Sequence, residues 1–225
     1  MKTRVGDIVE RQVREWDLRT REATPHQPCV AFSRLPYAGA DELGHKLAER
    51  LGYTYYGIEI VDLIAKEAGV SRKLLEGVDE RVRSAVERYV LDAFRVHGFT
   101  ENDYVREVVH TVTTLGERGG AVILGRGSPF ILGPHQALRV LVTAPLADRL
   151  ASMRRQRELP KNEAERLIAD EDRFRGEFVR QSFGVDPDDT SRYDLVVNTS
   201  TLSIEGALEV IVTALRLRFP KSARA

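Results

Sequence analysis

The sequence contains a single cysteine and has no excess of charge of either sign. Cys29 lies in an apolar stretch that we interpret as a buried strand, and this sparse cysteine usage favours a reducing, cytoplasmic compartment. Lysine plus arginine and aspartate plus glutamate each number 34, so the net charge is zero. Without an overall positive field, the composition favours neither a nucleic-acid partner nor a membrane partner.

Long apolar runs are also missing. No stretch approaches the roughly 20 apolar residues of a membrane span. The first residues, MKTRVGDIVERQVREW, are charged throughout and lack the apolar core of a signal peptide. Residues 5–22 have helical apolar periodicity, and TPHQP at 24–28 has a linker composition. We therefore predict an N-terminal helix and linker over 1–27, one domain over 28–220 and a disordered tail over 221–225.

Short apolar strands alternate with helices along the rest of the chain. The predicted strands cover 29–33, 53–56, 121–124, 139–143 and 195–197. Predicted helices cover about 41–51, 146–158, 162–182 and 204–219, and residues 59–118 are predicted mostly helical, with helices near 71, over 79–96 and over 101–118. In the helix over 162–182, Asn162 followed by Glu165 suggests a capping box. Buried strands separated by helices predict a three-layer α/β fold, with a parallel sheet of about five strands covered on both faces.

The loop after the first strand is placed like a phosphate-binding P-loop. The pattern G-x-x-x-x-G-K-[ST] supplies backbone N–H groups and a lysine to phosphates, and a hydroxyl to Mg²⁺. Here Arg34 stands at the first glycine position, Gly39 at the second, Ala40 at the lysine and Asp41 at the hydroxyl. The strand–loop–helix arrangement of a nucleotide site is therefore present, but the phosphate-binding lysine and the Mg²⁺-binding hydroxyl are missing. The candidate nucleotide-binding residues are Ser33, Arg34, Ala38, Gly39, Ala40 and Asp41.

A second loop, GRG, follows the strand at 121–124. Ligands of open α/β sheets bind at the carboxyl ends of the strands, where Arg126 is expected to lie. The flanking glycines allow a tight turn and a close approach. Arg126 and Gly127 are therefore candidates for binding an acceptor phosphate, and a turn with an exposed arginine is the alternative. Arg34 has a similar alternative, a structural ion pair with Asp41 or Glu42.

Arginines cluster in the predicted helix at 146–158. Arg149, Arg154, Arg155 and Arg157 fall within nine residues and could clamp phosphate oxygens, or could form a solvated helix face. Asp172 and Arg175 lie three apart on the next helix. They are either a pair that directs Arg175 at a transferred phosphate or a surface ion pair. No metal-ligand cluster is predicted, and the aspartates at 186, 188 and 189 are typical of a turn.

Six segments in order resemble the cytidylate kinase-like family over about residues 28–215. They are S-R-x-P-x-x-G at 33–39, HKLAERLG followed by YTYY, GRG at 125–127, Asp148-Arg149, Asp172-x-x-Arg175, and YDLVVNTS at 193–200. The resemblance implies a P-loop NTPase-type fold with a central P-loop strand. It also implies a helical acceptor region at about 59–118 and an arginine-rich lid at about 149–175.

The family resemblance implies transfer of the γ-phosphoryl of ATP, with Mg²⁺, to a nucleoside monophosphate such as CMP or dCMP. Arg154, Arg157 and Arg175 would be the catalytic arginines. The expected partner is a small-molecule nucleotide, and a homodimer is possible.

The sequence departs from the family pattern in two places, the loop at 37–40 and position 57. Where G-S-G-G is common, the chain reads Tyr37-Ala38-Gly39-Ala40, and positive φ is costly there for residues other than glycine. Gly57 stands where an aspartate usually follows the YTYY strand. These changes favour a second hypothesis, a catalytically degenerate member that binds a nucleotide or phosphorylated ligand as a sensor or assembly module. A third is a mainly structural oligomer.

Overall fold

A central parallel sheet organises the chain. The structure, a computed structural model, describes residues 27–66, 80–95 and 102–220. The strands are β1 (Cys29–Arg34), β2 (Thr54–Tyr56), β3 (Ala121–Leu124), β4 (Ala137–Thr143) and β5 (Leu195–Asn198). They pair in the order β2-β3-β1-β4-β5, with every pairing parallel. The predicted parallel sheet of about five strands is confirmed, and β1 is its central strand.

The side chains of β1 alternate between two cores. Cys29 and Ala31 belong to one buried cluster, whereas Val30 and Phe32 belong to the cluster on the opposite face. The strand therefore reads as a continuous apolar run, because both faces of a parallel sheet are covered. The first polar side chains of the strand, Ser33 and Arg34, lie at its carboxyl end, which is at the edge of the sheet.

Helices cover both faces of the sheet. They are α1 (Ala40–Leu51), α2 (Ile58–Lys66), α3 (Glu80–Arg95), α4 (Asp103–Arg118), α5 (Ser128–Ile131), α6 (Leu146–Arg157), α7 (Lys161–Phe183) and α8 (Ile204–Arg218). α1 and α8 pack on one face, while α2, α3, α4 and the end of α7 pack on the other. Helices α6 and α7 form a hairpin, called the lid hairpin below, whose own small core is Met153, Ala164 and Ile168.

The described helices and strands match the sequence prediction to within about two residues at each predicted end, the usual uncertainty of such boundaries, except that the short helix α5 was not predicted. The predicted helices at 5–22 and near Ser71, and the tail at 221–225, lie outside the described residues. The capping box predicted at Asn162 is wrong, because α7 begins at Lys161 and its N-cap is Pro160. Pro160 is extended, with ψ 157°, so the helix starts at the next residue, one position before Asn162. No helix in the described ranges is long and apolar enough to cross a membrane.

Candidate functional site

A cavity of about 350 Å³ opens at the carboxyl ends of β1 and β3. The loop after β1, the GRG turn, the start of α2 and one face of α7 surround it. Its lining includes Ser33, Arg34, Pro36, Ile58, Glu59, Arg126, Gly127, Phe130, Glu171, Phe174, Arg175 and Phe178. This is the edge at which open α/β sheets bind ligands. The structure thus brings together candidates from three separate parts of the sequence.

The loop after β1 turns tightly before α1. The Ala38 N–H donates to the Leu35 carbonyl at 3.2 Å, and Thr199 at the end of β5 donates its hydroxyl to the Ala38 carbonyl at 2.8 Å. Gly39, the N-cap of α1, is left-handed with φ 75°. The first N–H groups of a helix have no partner within it, so those of Ala40 and Asp41 can bind an anion.

Backbone strain in this loop falls on Tyr37. Its φ is 62°, whereas Ala38 and Ala40 do not have positive φ. For a residue with a Cβ atom, the left-handed conformation costs about 1–2 kcal/mol. The sequence-based expectation of a costly loop therefore holds at Tyr37. Its side chain leaves the loop towards the lid hairpin, where it packs against the core of Met153, Ala164 and Ile168.

Arg34 and Asp41 are close to each other, as one interpretation of the sequence expected. Arg34 Nε lies 3.7 Å from Asp41 Oδ2, and the Tyr55 hydroxyl donates to Asp41 Oδ1 at 3.0 Å. Burial and the neighbouring Asp41 carboxylate raise the pKa of Tyr55, so it is a protonated donor at neutral pH. Arg34 Nε is buried and has no hydrogen-bond partner in the described part of the chain.

Arg126 is held in the cavity wall by a carboxylate from α2. Its φ is 49°, between two glycines that also have positive φ. Its guanidinium pairs with Asp62, with Nη2 2.5 Å from Oδ2, and lies 5.5 Å from the centre of the Phe178 ring. The Tyr104 hydroxyl donates to the same Asp62 at 2.6 Å. Burial lowers the pKa of Arg126, but the hydrogen-bonded Asp62 carboxylate more than offsets this and raises the pKa overall, so the guanidinium stays positively charged.

Gly57, which stands where the family usually has an aspartate, directly precedes α2. The Val61 N–H donates to its carbonyl at 3.1 Å, so Gly57 helps to start this helix. Asp62 then lies further along the same helix and supplies a carboxylate to Arg126. The structure therefore has a carboxylate beside the GRG turn that inspection of position 57 alone did not reveal.

Arg175 reaches back from α7 to the end of β1. Its Nη2 donates to Ser33 Oγ at 3.2 Å and to the Pro187 carbonyl at 3.1 Å, while Nη1 donates to Asp188 at 2.9 Å. Its side chain is only 14% exposed. The sequence had suggested a pairing with Asp172, but Asp172 accepts from Arg149 instead.

The arginines of the lid hairpin have different surroundings. Arg149 is buried and makes three hydrogen bonds to the Asp172 carboxylate and one to the Ala144 carbonyl, so its role is to hold α6 against α7. Arg154 donates to the Leu159 carbonyl at 3.3 Å and lies outside the cavity lining. Arg157 pairs with Glu171 at 3.3 Å and lies 5.4 Å from the centre of the Tyr37 ring.

Sequence reasoning missed Asp62 and the aromatic wall of the cavity. Glu171, Phe174, Arg175 and Phe178 follow the spacing i, i+3, i+4, i+7, which places them on one face of α7. This stripe was a readable signal for the wall. The aspartates after α7 form a turn, as predicted, with Asp189 capping the 3₁₀ helix Thr190–Arg192. Within the described ranges, no three acidic, histidine or cysteine side chains are grouped as a metal site.

Comparisons with known proteins identify the family to which this chain is related. The profile of the cytidylate kinase-like family matches residues 29–201. A cytidylate kinase of Pyrococcus horikoshii is 26% identical over 83% of this chain and 87% of its own length. The cytidylate kinase of Desulfurococcus amylolyticus is 29% identical over 81% of this chain and 89% of its own length.

Among solved structures, an uncharacterized protein from Eubacterium ventriosum superposes with a TM-score of 0.67 at 17% identity, over 85% of this chain and 99% of that one. This likeness concerns the fold alone. The family profile covers most of the chain, and its matched region contains β1, the GRG turn and the whole lid hairpin. The chain belongs to the cytidylate kinase-like family.

Proposed function

We propose that this protein transfers the γ-phosphoryl group of ATP, with Mg²⁺, to a nucleoside monophosphate of the CMP or dCMP type. One observation carries the proposal. Guanidinium groups from three elements, Arg34, Arg126 and Arg175, line one cavity at the carboxyl ends of β1 and β3. Phosphoryl transfer depends mainly on positioning and on stabilising negative charge, which converging guanidinium groups can supply.

The acceptor side of the cavity suits a phosphorylated aromatic molecule. Arg126 and Gly127 would bind the acceptor phosphate, since a guanidinium forms paired hydrogen bonds with phosphate oxygens. Phe130, Phe174 and Phe178 line the same cavity, and a base would pack against these apolar side chains. The curated relatives named cytidylate kinases support a cytosine base.

The donor phosphates would lie at the loop after β1. Gly39 gives the loop its left-handed turn, and the N–H groups at the start of α1 would face the phosphates, with Ser33 and Arg34 beside them. Mg²⁺ prefers one or two carboxylates together with phosphate oxygens and water, and the exposed Asp41 carboxylate in the first turn of α1 would supply one while it also contacts Tyr55 and Arg34. Arg157 and Arg175 would stabilise the transferred group from the lid hairpin, with Arg154 of α6 as a further candidate, and a bound Mg²⁺ would supply additional positive charge.

A coupled assay for ADP release tests the proposal directly. Wild-type protein is incubated with Mg²⁺–ATP and CMP, dCMP, UMP or AMP in turn, and turnover is expected to be highest with CMP or dCMP. Arg126→Met should raise the acceptor KM about 10- to 100-fold, because a charged hydrogen bond to the acceptor contributes about 1.5–3 kcal/mol. Arg216→Met, an identical change at an exposed position on α8, is the matched control. Absence of ADP release with every monophosphate would refute the kinase proposal.

A second candidate, a binding module without turnover, is favoured by a specific observation. Each of three candidate arginines already has a carboxylate partner: Arg126 with Asp62, Arg157 with Glu171 and Arg175 with Asp188. A thermal shift with Mg²⁺–ATP or CMP but no ADP release would support this module, because ligand binding to the folded state raises stability. The predicted homodimer stays a prediction that analytical ultracentrifugation can test.

A further inference from the structure

Three side chains join the phosphate loop to the lid hairpin. Tyr37 comes from the loop, Arg157 from α6 and Glu171 from α7. The Tyr37 hydroxyl donates to Glu171 Oε1 at 3.5 Å, and Arg157 Nη2 lies 3.3 Å from the same oxygen. The Arg157 guanidinium also lies 5.4 Å from the centre of the Tyr37 ring, within the range of a cation–π contact. Every pair among the three is therefore in contact.

We propose that Tyr37 is a positioning residue, which docks the lid hairpin on the phosphate loop before any nucleotide binds and thereby places Arg157 beside the donor site. The part that concerns nucleotide binding rests on the function proposed above. The docking itself does not, because it is a property of the ligand-free chain.

The backbone of Tyr37 supports this role. A tyrosine at φ 62° persists only where its surroundings fix it, and such residues cluster at functional sites and switch regions. Here the ring is fixed by the lid core of Met153, Ala164 and Ile168 rather than by the sheet. The strained residue thus links the phosphate loop to the lid hairpin, in addition to the hydrogen bond from Arg175 on α7 to Ser33 at the end of β1.

The electrostatics of the contact are consistent with a persistent donor. Burial, followed by the nearby Glu171 carboxylate, raises the pKa of Tyr37, so its phenol is protonated at neutral pH. Glu171 neutralises Arg157, yet the Arg157 side chain is 50% exposed. A guanidinium has five N–H donors, so Arg157 can hold Glu171 and still donate to a phosphate.

The first test measures hydrogen–deuterium exchange in the nucleotide-free full chain. In Tyr37→Gly, which accepts the same φ but lacks the ring, we expect exchange over 146–183 to be about tenfold faster, with exchange over 121–143 unchanged. Tyr37→Phe keeps the ring and should stay within about threefold of wild type. Lid exchange in Tyr37→Gly equal to wild type would overturn the docking role. Should Tyr37→Gly accelerate exchange everywhere, Tyr37→Asn, which tolerates the left-handed φ and also lacks the ring, provides the same comparison, and unchanged lid exchange in it would equally overturn the role.

The second test measures the dissociation constant for Mg²⁺–ATP. We expect a rise of about three- to tenfold in Tyr37→Gly and near-wild-type binding in Tyr37→Phe, because the ring is what places Arg157. Equal or tighter ATP binding in Tyr37→Gly would show that Tyr37 does not place Arg157, and would overturn that part of the proposal. If the wild-type protein bound no ATP at all, the proposed function would fail, while the exchange experiment would still decide the docking role.

Discussion

Gly127, the residue after Arg126, allows a sharp test of how the GRG turn is built. Its φ is +74°, and a Cβ atom added there would lie 2.1 Å from Phe183 Cε2 and 2.5 Å from Phe183 Cζ. Phe183 is 1% exposed and belongs to the core cluster under the sheet. An alanine at Gly127 must therefore adopt a strained φ and also displace a buried aromatic ring.

The two costs can be separated with a second glycine of the same chain. Gly184 has φ +65°, and nothing lies within 4 Å of an added Cβ atom. Gly184→Ala should cost only the left-handed conformation, about 1–2 kcal/mol. Gly127→Ala should cost that amount plus about 1–3 kcal/mol for overpacking against Phe183. The expected total for Gly127→Ala is about 2–5 kcal/mol.

Urea unfolding of wild type and both variants measures these free energies. The difference between the two variants is expected to be about 1–3 kcal/mol, or roughly 2–12 °C in Tm for a chain of this size. Equal destabilisation by the two substitutions would refute the reasoning, because it would mean that Phe183 does not pack against the turn. A larger loss in Gly127→Ala would show that Phe183 packs against the GRG turn, the proposed acceptor site.

Four further predictions concern stability, thiol reactivity, the pH dependence of stability and the proposed acceptor site. Arg149→Met should destabilise the chain by about 2 kcal/mol in urea unfolding, which is less than the full cost of breaking a buried pair because Asp172 is 33% exposed. The control, Arg155→Met on the exposed face of α6, should cost under about 0.5 kcal/mol. Equal destabilisation by the two substitutions would contradict this prediction. Burial raises the pKa of Cys29 from 9.0 to about 12, so Ellman's reagent should label it at pH 8 only as fast as the chain opens. Because the unfolded thiol loses its proton above about pH 9 and the folded thiol keeps it, this group should lower stability as pH rises from 9 towards 12, and Cys29→Ala should lack that part of the fall. Asp62→Asn should raise the acceptor KM more than it lowers kcat in the ADP-release assay, since it loosens the guanidinium of the GRG turn, and a change in kcat alone would argue against that role.

The sheet and the edge that carries the site were predictable because their signals are local. Apolar runs such as 29–33 and 121–124 are continuous, as expected for strands buried on both faces, and glycine follows the strand at 121–124 directly. The carboxyl ends of parallel strands lie at one edge, so the loops after β1 and β3 were expected at the same edge, and the strand order makes them neighbours. The helix boundaries also followed from local periodicity and from caps such as Gly52.

The partners of the arginines were not predictable in the same way. On an isolated helix, Asp172 and Arg175 are neighbours, and the sequence offers no reason to separate them. In the folded chain, packing around Met153 and Ile168 brings α6 alongside α7, so that Arg149 reaches Asp172. Spacing within one helix therefore gives the face of a residue but not the partner that another helix brings to it.

The absence of a P-loop lysine is best understood together with the net charge of zero. The positive charge of the site comes from guanidinium groups on different elements, and Arg126, Arg157 and Arg175 each carry a carboxylate neighbour. Such pairs hold each arginine in place without a ligand, but a phosphate must then bind to donors that the carboxylate leaves open. The guanidinium of arginine can bind a carboxylate and a phosphate at the same time because it has five N–H donors. The ammonium of lysine has only three, so it is less suited to binding both. A site built this way gains the fixed geometry that the proposed phosphoryl transfer requires, but it gives up part of its charge stabilisation, which is why the same pairs also favour the binding module.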